Sequence, residues 1–581
     1  MNSHLAKISA LLIIPDVRIS HPLNMTTAHA PRTLAAALTY TPCVLNFGTS
    51  GRRGDVVDLS QLEVYINASA ELDYLQHLAA ERGGIRAGDA FYYAHDLRPS
   101  STRYVTEQGG RGEIAQAIER AIRDAGLRPV NLGPIPTPAL AAYALARSKG
   151  SMMITGSHIP FDRNGYKTNS ALGELLKTAE GPIADYVERW RARVYETPFD
   201  ESLFDASGRF KSGSRPCVTE DAAGRRAYLQ RYRHFFGDDA LRGIRVLVYQ
   251  HSAVGRDLLV EVLEALGAVA HPVGRSATFI PIDTEAIDAA TLETIRLLAT
   301  QASASGERYQ AVVSTDGDSD RPLLVGLDYD DHGRCQARFY GGDLIGMLVA
   351  EYLQPDAVVV PISCNDGIDR SPLAAVLEAK TRIGSPYVIA GMNTARERGA
   401  RRICAWEANG GFLTGSSFVR QGRSLPPLPT RDAFLPILSI LHQINAPGLR
   451  LDTLFSRLPQ RYSRAGLLRD CPRALSERIV ASLLCAGSSG TPGTLSEALV
   501  AHVGTYFCAG AGFDRLNCID HTDGARLYFS NGDVAHIRAS GNADELRIYA
   551  VADSQQRADT IVAAALSEPG GILHRLRDTC T

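Results

Sequence analysis

Gln310-Ala311-Val312-Val313-Ser314-Thr315-Asp316-Gly317-Asp318-Ser319-Asp320-Arg321 runs an apolar strand over 310–314 straight into three carboxylates at i, i+2 and i+4. Open α/β sheets place their ligands at strand C-termini, so this stretch predicts a fold class and a site together. Gly317 permits a tight turn that converges the carboxylate oxygens on one hard cation such as Mg²⁺. Without a cation the three charges would repel, which disfavours the competing reading of a solvated acidic turn. A calcium loop of the EF-hand kind fits poorly, because the glycine at its sixth position and its closing glutamate are both missing.

Outward from this point, short β-branched runs alternate with amphipathic stretches. The periodicity predicts a helix over 111–125, a strand over 151–154 and further helix over 173–195. The pattern restarts at 244–249 and closes in the strand 310–314, then restarts at 357–362 and closes in 402–406. A last segment carries strands over 525–529, 535–538 and 546–551, with Asn531-Gly532 as the turn between the first two. The expected fold is α/β: three successive similar α/β domains over 44–215, 216–335 and 336–457, then a smaller α+β domain over 458–581. Residues 1–43 read as a loose extension, or as a start placed upstream of Met25. Linkers are expected near 207–215 and near 425–429, the latter holding three prolines. The stretch 471–512 is longer than the last domain needs.

Composition narrows the function. Of 581 residues, 45% are hydrophobic and 21% charged, enough apolar side chain for several cores. Sixty-one basic against 63 acidic residues give a net charge of −2, far from the basic excess of a phosphate-backbone binder, so no nucleic-acid partner is expected. No apolar window reaches the roughly 18 residues of a membrane helix, and the run from Ala10 is cut short by Asp16 and Arg18 before it could serve as a signal peptide. No membrane partner and a cytoplasmic location are expected. Ten cysteines without a C-x-x-C pair suggest reduced thiols rather than a zinc knuckle or disulfide framework.

Three further loops follow strands. Ile154-Thr155-Gly156-Ser157-His158-Ile159-Pro160 presents a serine, with Lys167 a short way on. It lacks the G-x-S-x-G elbow of hydrolases, since Thr155 and Ile159 hold the two glycine positions. Either it is a structural loop, or Ser157 carries a phosphoryl group balanced by a metal on another loop and by Lys167. Ile537-Arg538-Ala539-Ser540-Gly541-Asn542 could cradle a phosphate, and in Trp406-Glu407-Ala408-Asn409-Gly410-Gly411 a carboxylate and an amide two residues apart could bond a vicinal diol. Each alone also reads as a polar turn.

Taken as a set, with Phe47-Gly48-Thr49-Ser50-Gly51-Arg52-Arg53-Gly54 before them, the loops resemble in their order along the chain those of the α-D-phosphohexomutase superfamily, most of all a bacterial phosphomannomutase branch. Asp96-Leu97-Arg98-Pro99-Ser100-Ser101 and Pro136-Thr137-Pro138 extend the likeness to nearly the whole chain after residue 44. The resemblance implies mixed sheets around a central active-site cleft. It implies that Ser157 is the phosphorylated serine and that Asp316, Asp318 and Asp320 hold one Mg²⁺ together with it. Arg53 and Lys167 would flank the transferring phosphoryl group, Lys167 being the better acid/base because an ammonium lowers its pKa more readily than a guanidinium. Arg321, Gly384, Glu407 and Asn409 would meet substrate, and Arg538, Ser540, Gly541, Asn542 and Arg547 would hold its non-reacting phosphate. The implied activity interconverts mannose 6-phosphate and mannose 1-phosphate through a hexose 1,6-bisphosphate, which also serves as activator, in a monomer or homodimer. Phosphoglucomutase or dual activity is the alternative, and a metal-dependent sugar phosphatase a further one. Asn409 stands where the family usually has serine, and Asp544 should point away from the cradle or be offset by Arg547.

Overall fold

In a computed structural model, residues 32–285, 287–330, 332, 334–485, 495–541 and 544–581 are described. Ala311–Thr315 is a central strand, buried throughout, parallel to Arg245–His251 on one side and antiparallel to Pro322–Tyr329 on the other. Burial on both faces explains why these strands read as unbroken apolar runs. The same three-strand unit occurs twice more. Ala90–His95 runs parallel to Ser151–Ile154, which turns back antiparallel into Arg163–Ser170. Ala357–Val359 runs parallel to Ile403–Trp406, which turns back into Phe412–Thr414. In each unit the chain reverses at one topological point, and the three reversals are the Ser157 loop, the aspartate loop and the Glu407 loop. The fourth sheet is wholly antiparallel, in the order Tyr462–Leu468, Leu546–Ala552, Val534–Ala539, Ala525–Phe529, Leu516–Asp520.

One apolar cluster runs continuously through the first three sheets, from Tyr92 and Met153 through Val246 and Val313 to Val358 and Trp406. The fourth sheet has its own core around Ile479, Leu527, Ile548 and Ile561. Buried arginines seat it on the third unit. Arg461 forks onto Asp366 at 2.7 and 2.8 Å and reaches Asp553 at 2.6 Å, while Arg526 donates to the carbonyls of Ile362 and Cys364.

Several sequence expectations need correcting. The helix expected over 111–125 starts at Ile114, because Gly112 (φ 117°) and Glu113 (φ 54°) are left-handed and Arg111–Gly112 pairs with Tyr104–Val105. Over 173–195, Gly173–Glu174 is a strand and the helix is Glu180–Glu196; Gly173 at φ 116° turns the chain back onto Ser170. The stretch 425–429 is no linker. Leu425 ends one strand, Leu428 begins another, and both are buried. The last sheet has five strands where three were expected. Of the extension 1–43, residues 1–31 lie outside the described residues, whereas 32–43 are docked: Leu34 is fully buried and its N–H donates to the Thr197 carbonyl at 2.9 Å. The unexplained stretch 471–512 contains the helices Arg473–Cys485 and Glu497–Gly504, which cover the fourth sheet with Ile479, Leu483 and Val503.

Candidate active site

Asp96 builds the Ser157 loop. Its Oδ2 accepts from Arg98 Nη1 at 2.6 Å and Thr155 Oγ1 at 2.9 Å, and its Oδ1 accepts from Ser101 Oγ at 2.8 Å. Arg98, itself buried, donates onward to the Ser157 carbonyl at 3.0 Å. Gly156 leaves no room for a Cβ, which would lie 2.7 Å from Arg98 Cζ. Held this way, Ser157 adopts φ 55°, a conformation that non-glycine residues take only where the surroundings impose it. Its Oγ then donates to Asp316 Oδ2 at 2.6 Å, joining the first reversal loop to the second.

In the aspartate loop, Asp316 Oδ1 accepts the backbone N–H groups of Asp320 and Arg321, and Ser319, at φ 58°, bonds Gly255 N and Thr315 Oγ1. The turn aims all three carboxylates at one point, with one oxygen from each lying within 4.8 Å of the others. Lys167 Nζ binds Asp318 Oδ2 at 2.8 Å and Asp320 Oδ2 at 2.9 Å, and Thr137 Oγ1 adds a bond to Asp318. Burial and the two neighbouring carboxylates raise Asp316 well above the ordinary carboxylate range. Against the same burial, Lys167 holds Asp318 well below it, and Arg431 holds Asp320 down. Asp318 Oδ1 and Asp320 Oδ1 are buried with no hydrogen-bond partner. Orphaned carboxylate oxygens of this kind fit a hard divalent cation, which takes oxygen donors in preference to nitrogen or sulfur. A divalent cation at about a hundred times its dissociation constant should therefore stabilise the protein by about 2.7 kcal/mol. In Asp318→Asn that response should fall away, as melting curves with and without Mg²⁺ would read; an undiminished response would place the cation elsewhere.

The cleft in front of these loops is walled by residues from all four sheets' loops, among them Arg53, Ser157, Arg321, Glu407, Asn409, Arg538, Ser540, Gly541 and Arg547. Burial lowers the Arg53 guanidinium to about 10, against the pull of Asp318 and with Arg98 and Arg431 adding to the fall. Lys167 does not line the cleft; its ammonium is committed to the two aspartates. Gly384 meets Thr49, whose Cγ2 would lie 2.7 Å from an added Cβ, and the adjacent Ile383 lines the cleft in its place. Gly541 approaches the same Thr49, so the first, third and fourth units converge on that residue. Asp544 is exposed and accepts from Arg473 N, while Arg547 pairs with Glu545 at 3.2 Å. Asn542 lies outside the described residues.

Sequence reasoning missed Arg431, Glu285 and Tyr549. Arg431 is the most connected of them. Its guanidinium binds Asp320 Oδ2 at 2.8 and 3.0 Å and Glu407 Oε2 at 2.7 Å, tying the aspartate loop to the Glu407 loop. Glu285 is pushed up to about 7 by burial and by Asp283, with Arg547 and Arg321 opposing. His158, beside Ser157, is driven down to about 3 by burial and by Arg321, so it faces the cleft neutral.

Comparison with known proteins agrees with this architecture. Domain I of phosphoglucomutase/phosphomannomutase, an alpha/beta/alpha domain, matches residues 44–193, and domain III of the same proteins matches 341–462. A phosphomannomutase of Sinorhizobium fredii is 37% identical over 526 residues, covering 90% of this chain and 98% of its own. One of Salmonella muenchen is 35% identical over 527 residues, covering 90% and 95%. A phosphoglucomutase/phosphomannomutase family protein from Burkholderia thailandensis shares the fold, with a TM-score of 0.59 at 19% identity over 90% of this chain and 98% of that one. With three equivalent reversal loops meeting in one cleft, and with relatives this similar over almost their whole length, the chain belongs to the phosphoglucomutase/phosphomannomutase family.

Proposed function

We propose that this chain is a phosphohexomutase that interconverts mannose 6-phosphate and mannose 1-phosphate through a phosphoserine at Ser157 and a hexose 1,6-bisphosphate. The observation that carries the reading is that Ser157, bonded to an aspartate of the cation cluster, faces the same cleft as Arg538, Ser540, Gly541 and Arg547. Phosphoryl transfer asks a protein chiefly to position the reactants and neutralise charge. A Mg²⁺ ion held by Asp316, Asp318, Asp320 and the phosphorylated Ser157 would supply that neutralisation on the transferring group. Lys167 keeps Asp318 and Asp320 ionised and in register, and Arg53 and Arg321 face the phosphoryl group from the cleft. The second phosphate of the sugar sits on Arg538, Ser540, Gly541 and Arg547. The first transfer forms a P–O bond on a sugar hydroxyl as the Ser157 P–O bond breaks; the return transfer, with the bisphosphate turned end for end, breaks the other sugar P–O bond as the Ser157 P–O bond forms again. A site with phosphate contacts at both ends and Glu407 with Asn409 between them accepts either orientation. The domain division 44–215, 216–335, 336–457 and 458–581 gives each unit one of these loops.

The test follows mannose 1-phosphate and glucose 1-phosphate side by side by phosphorus NMR, with Mg²⁺ and catalytic hexose 1,6-bisphosphate as activator. Preferential conversion of the mannose ester is the expected result. Equal or faster glucose conversion would make the enzyme a phosphoglucomutase or dual mutase. Release of inorganic phosphate without interconversion would make it a sugar phosphatase and overturn the reading.

A further inference from the structure

Between the strand Val269–Arg275 and the helix Ala289–Ala302, the second unit sends a loop to the cleft. Phe279 lies under the Arg98 guanidinium, 3.9 Å from it, and against Gly317, so it touches the supports of both the Ser157 and the aspartate loops. Ile280 N donates to Ser252 Oγ at 2.7 Å, and Ile282 is buried. Thr284, also buried, donates from Oγ1 to the Asn409 carbonyl at 3.2 Å, fastening the loop to the sugar-binding turn. Glu285 is the next residue, and of the described residues 276–288 it is the one that lines the cleft.

Its surroundings set what it can bind. Among the described residues no hydrogen bond or ion pair engages its carboxylate, unlike that of Glu407, which Arg431 holds. The charges that act on it are Asp283 and Asp343, and Arg547 and Arg321. Arg321 belongs to the phosphoryl-transfer end of the cleft and Arg547 to the cradle end; Glu285 lines the same cleft, and the bond from the preceding Thr284 to the Asn409 carbonyl fastens its loop to the sugar-binding turn. A carboxylate repels phosphate and accepts hydrogen bonds from hydroxyls. What lies between the two phosphates of a hexose bisphosphate is the hydroxyl-bearing ring.

We propose that Glu285 is a substrate-binding and specificity-determining residue whose carboxylate accepts a hydrogen bond from a ring hydroxyl of the hexose phosphate, working beside Glu407 and Asn409. This rests on the mutase reading above. With its pKa near 7, the group exists in both protonation states around neutrality and can accept from or donate to whichever hydroxyl each of the two substrate orientations presents.

The test compares wild type, Glu285→Ala and Glu285→Gln on mannose 6-phosphate and on its 2-, 3- and 4-deoxy analogues, with 1-phosphate formation followed by phosphorus NMR. Glu285→Ala should lower kcat/KM for mannose 6-phosphate on the order of 10- to 100-fold, the range of a charge-assisted hydrogen bond. With at least one deoxy analogue the variant and wild type should perform alike, because the hydroxyl that Glu285 would bind is already gone. Glu285→Gln, which keeps shape and packing, should retain the wild-type melting temperature and lose the same discrimination in part. An equal loss on the parent sugar and on all three analogues would overturn the inference, as would no loss at all. A wild type that turns over no hexose phosphate would overturn the mutase reading instead, and this inference with it.

Discussion

Ser157→Ala should lower turnover by about 10⁴-fold or more, the loss seen when a covalent carrier is removed from a site whose other parts remain. The hydroxyl is the only atom lost. Alanine meets the same left-handed backbone at φ 55° that serine does, and Asp96, Arg98 and Thr155 continue to hold the loop. Asp316 loses the hydrogen bond to its Oδ2 but keeps the two backbone N–H groups on Oδ1, so the aspartate loop retains its turn. Arg538, Arg547, Glu407 and Asn409 are untouched. Hexose phosphate binding, read by calorimetry, should therefore survive within a few-fold while no phosphoryl group is carried on the protein. Turnover at the wild-type rate would remove Ser157 from the mechanism and leave the metal cluster without its partner.

The parts of this site that were legible in the sequence share one property: the residues of each loop are contiguous. Asp316, Asp318 and Asp320 announce themselves by spacing, and Ser157 and Glu407 stand directly after strands. The parts that were not legible are assembled across the chain. Arg431 meets Asp320 from 111 residues away, and its own strand, Leu428–Asp432, begins inside the proline-rich stretch 425–429 that read as a linker. Glu285 sits in a loop without any motif, positioned by Phe279 and Thr284 through contacts to three other loops. The same limit acts on the fold. Ala525–Phe529 was readable because it is largely buried, whereas Tyr462–Leu468 and Leu516–Asp520 are the outer strands of the last sheet, half exposed and without clean alternation. Left-handed residues such as Glu113 are set by tertiary contacts, and a periodicity argument has no access to them.

Arg431 also carries the second large effect. Its guanidinium is 4% exposed and lies between Asp320 and Glu407, and its stem fills the space beside Gly411, where a Cβ would come within 2.6 Å of it. Burial works against its charge, yet the two carboxylates hold its pKa well above the ordinary guanidinium value. Arg431→Ala removes the cation that joins the two loops: Asp320 keeps Lys167, but the buried Glu407 carboxylate loses its ion-pair partner, a situation that costs about 3–5 kcal/mol. Arg431→Lys should recover only part of this, because an ammonium cannot reproduce a fork that reaches two acceptors on different loops. The variant should unfold at lower denaturant than wild type, and turnover should fall with it, since Glu407 loses the partner that aims it. The decisive reading is the cation response. Mg²⁺ neutralises Asp320 but does nothing for Glu407, so saturating Mg²⁺ should restore part of the lost denaturant midpoint and little of the lost turnover. Full recovery of both would mean that Arg431 serves only to balance the cluster's charge; an unchanged midpoint without Mg²⁺ would mean that the fork does not support the cleft.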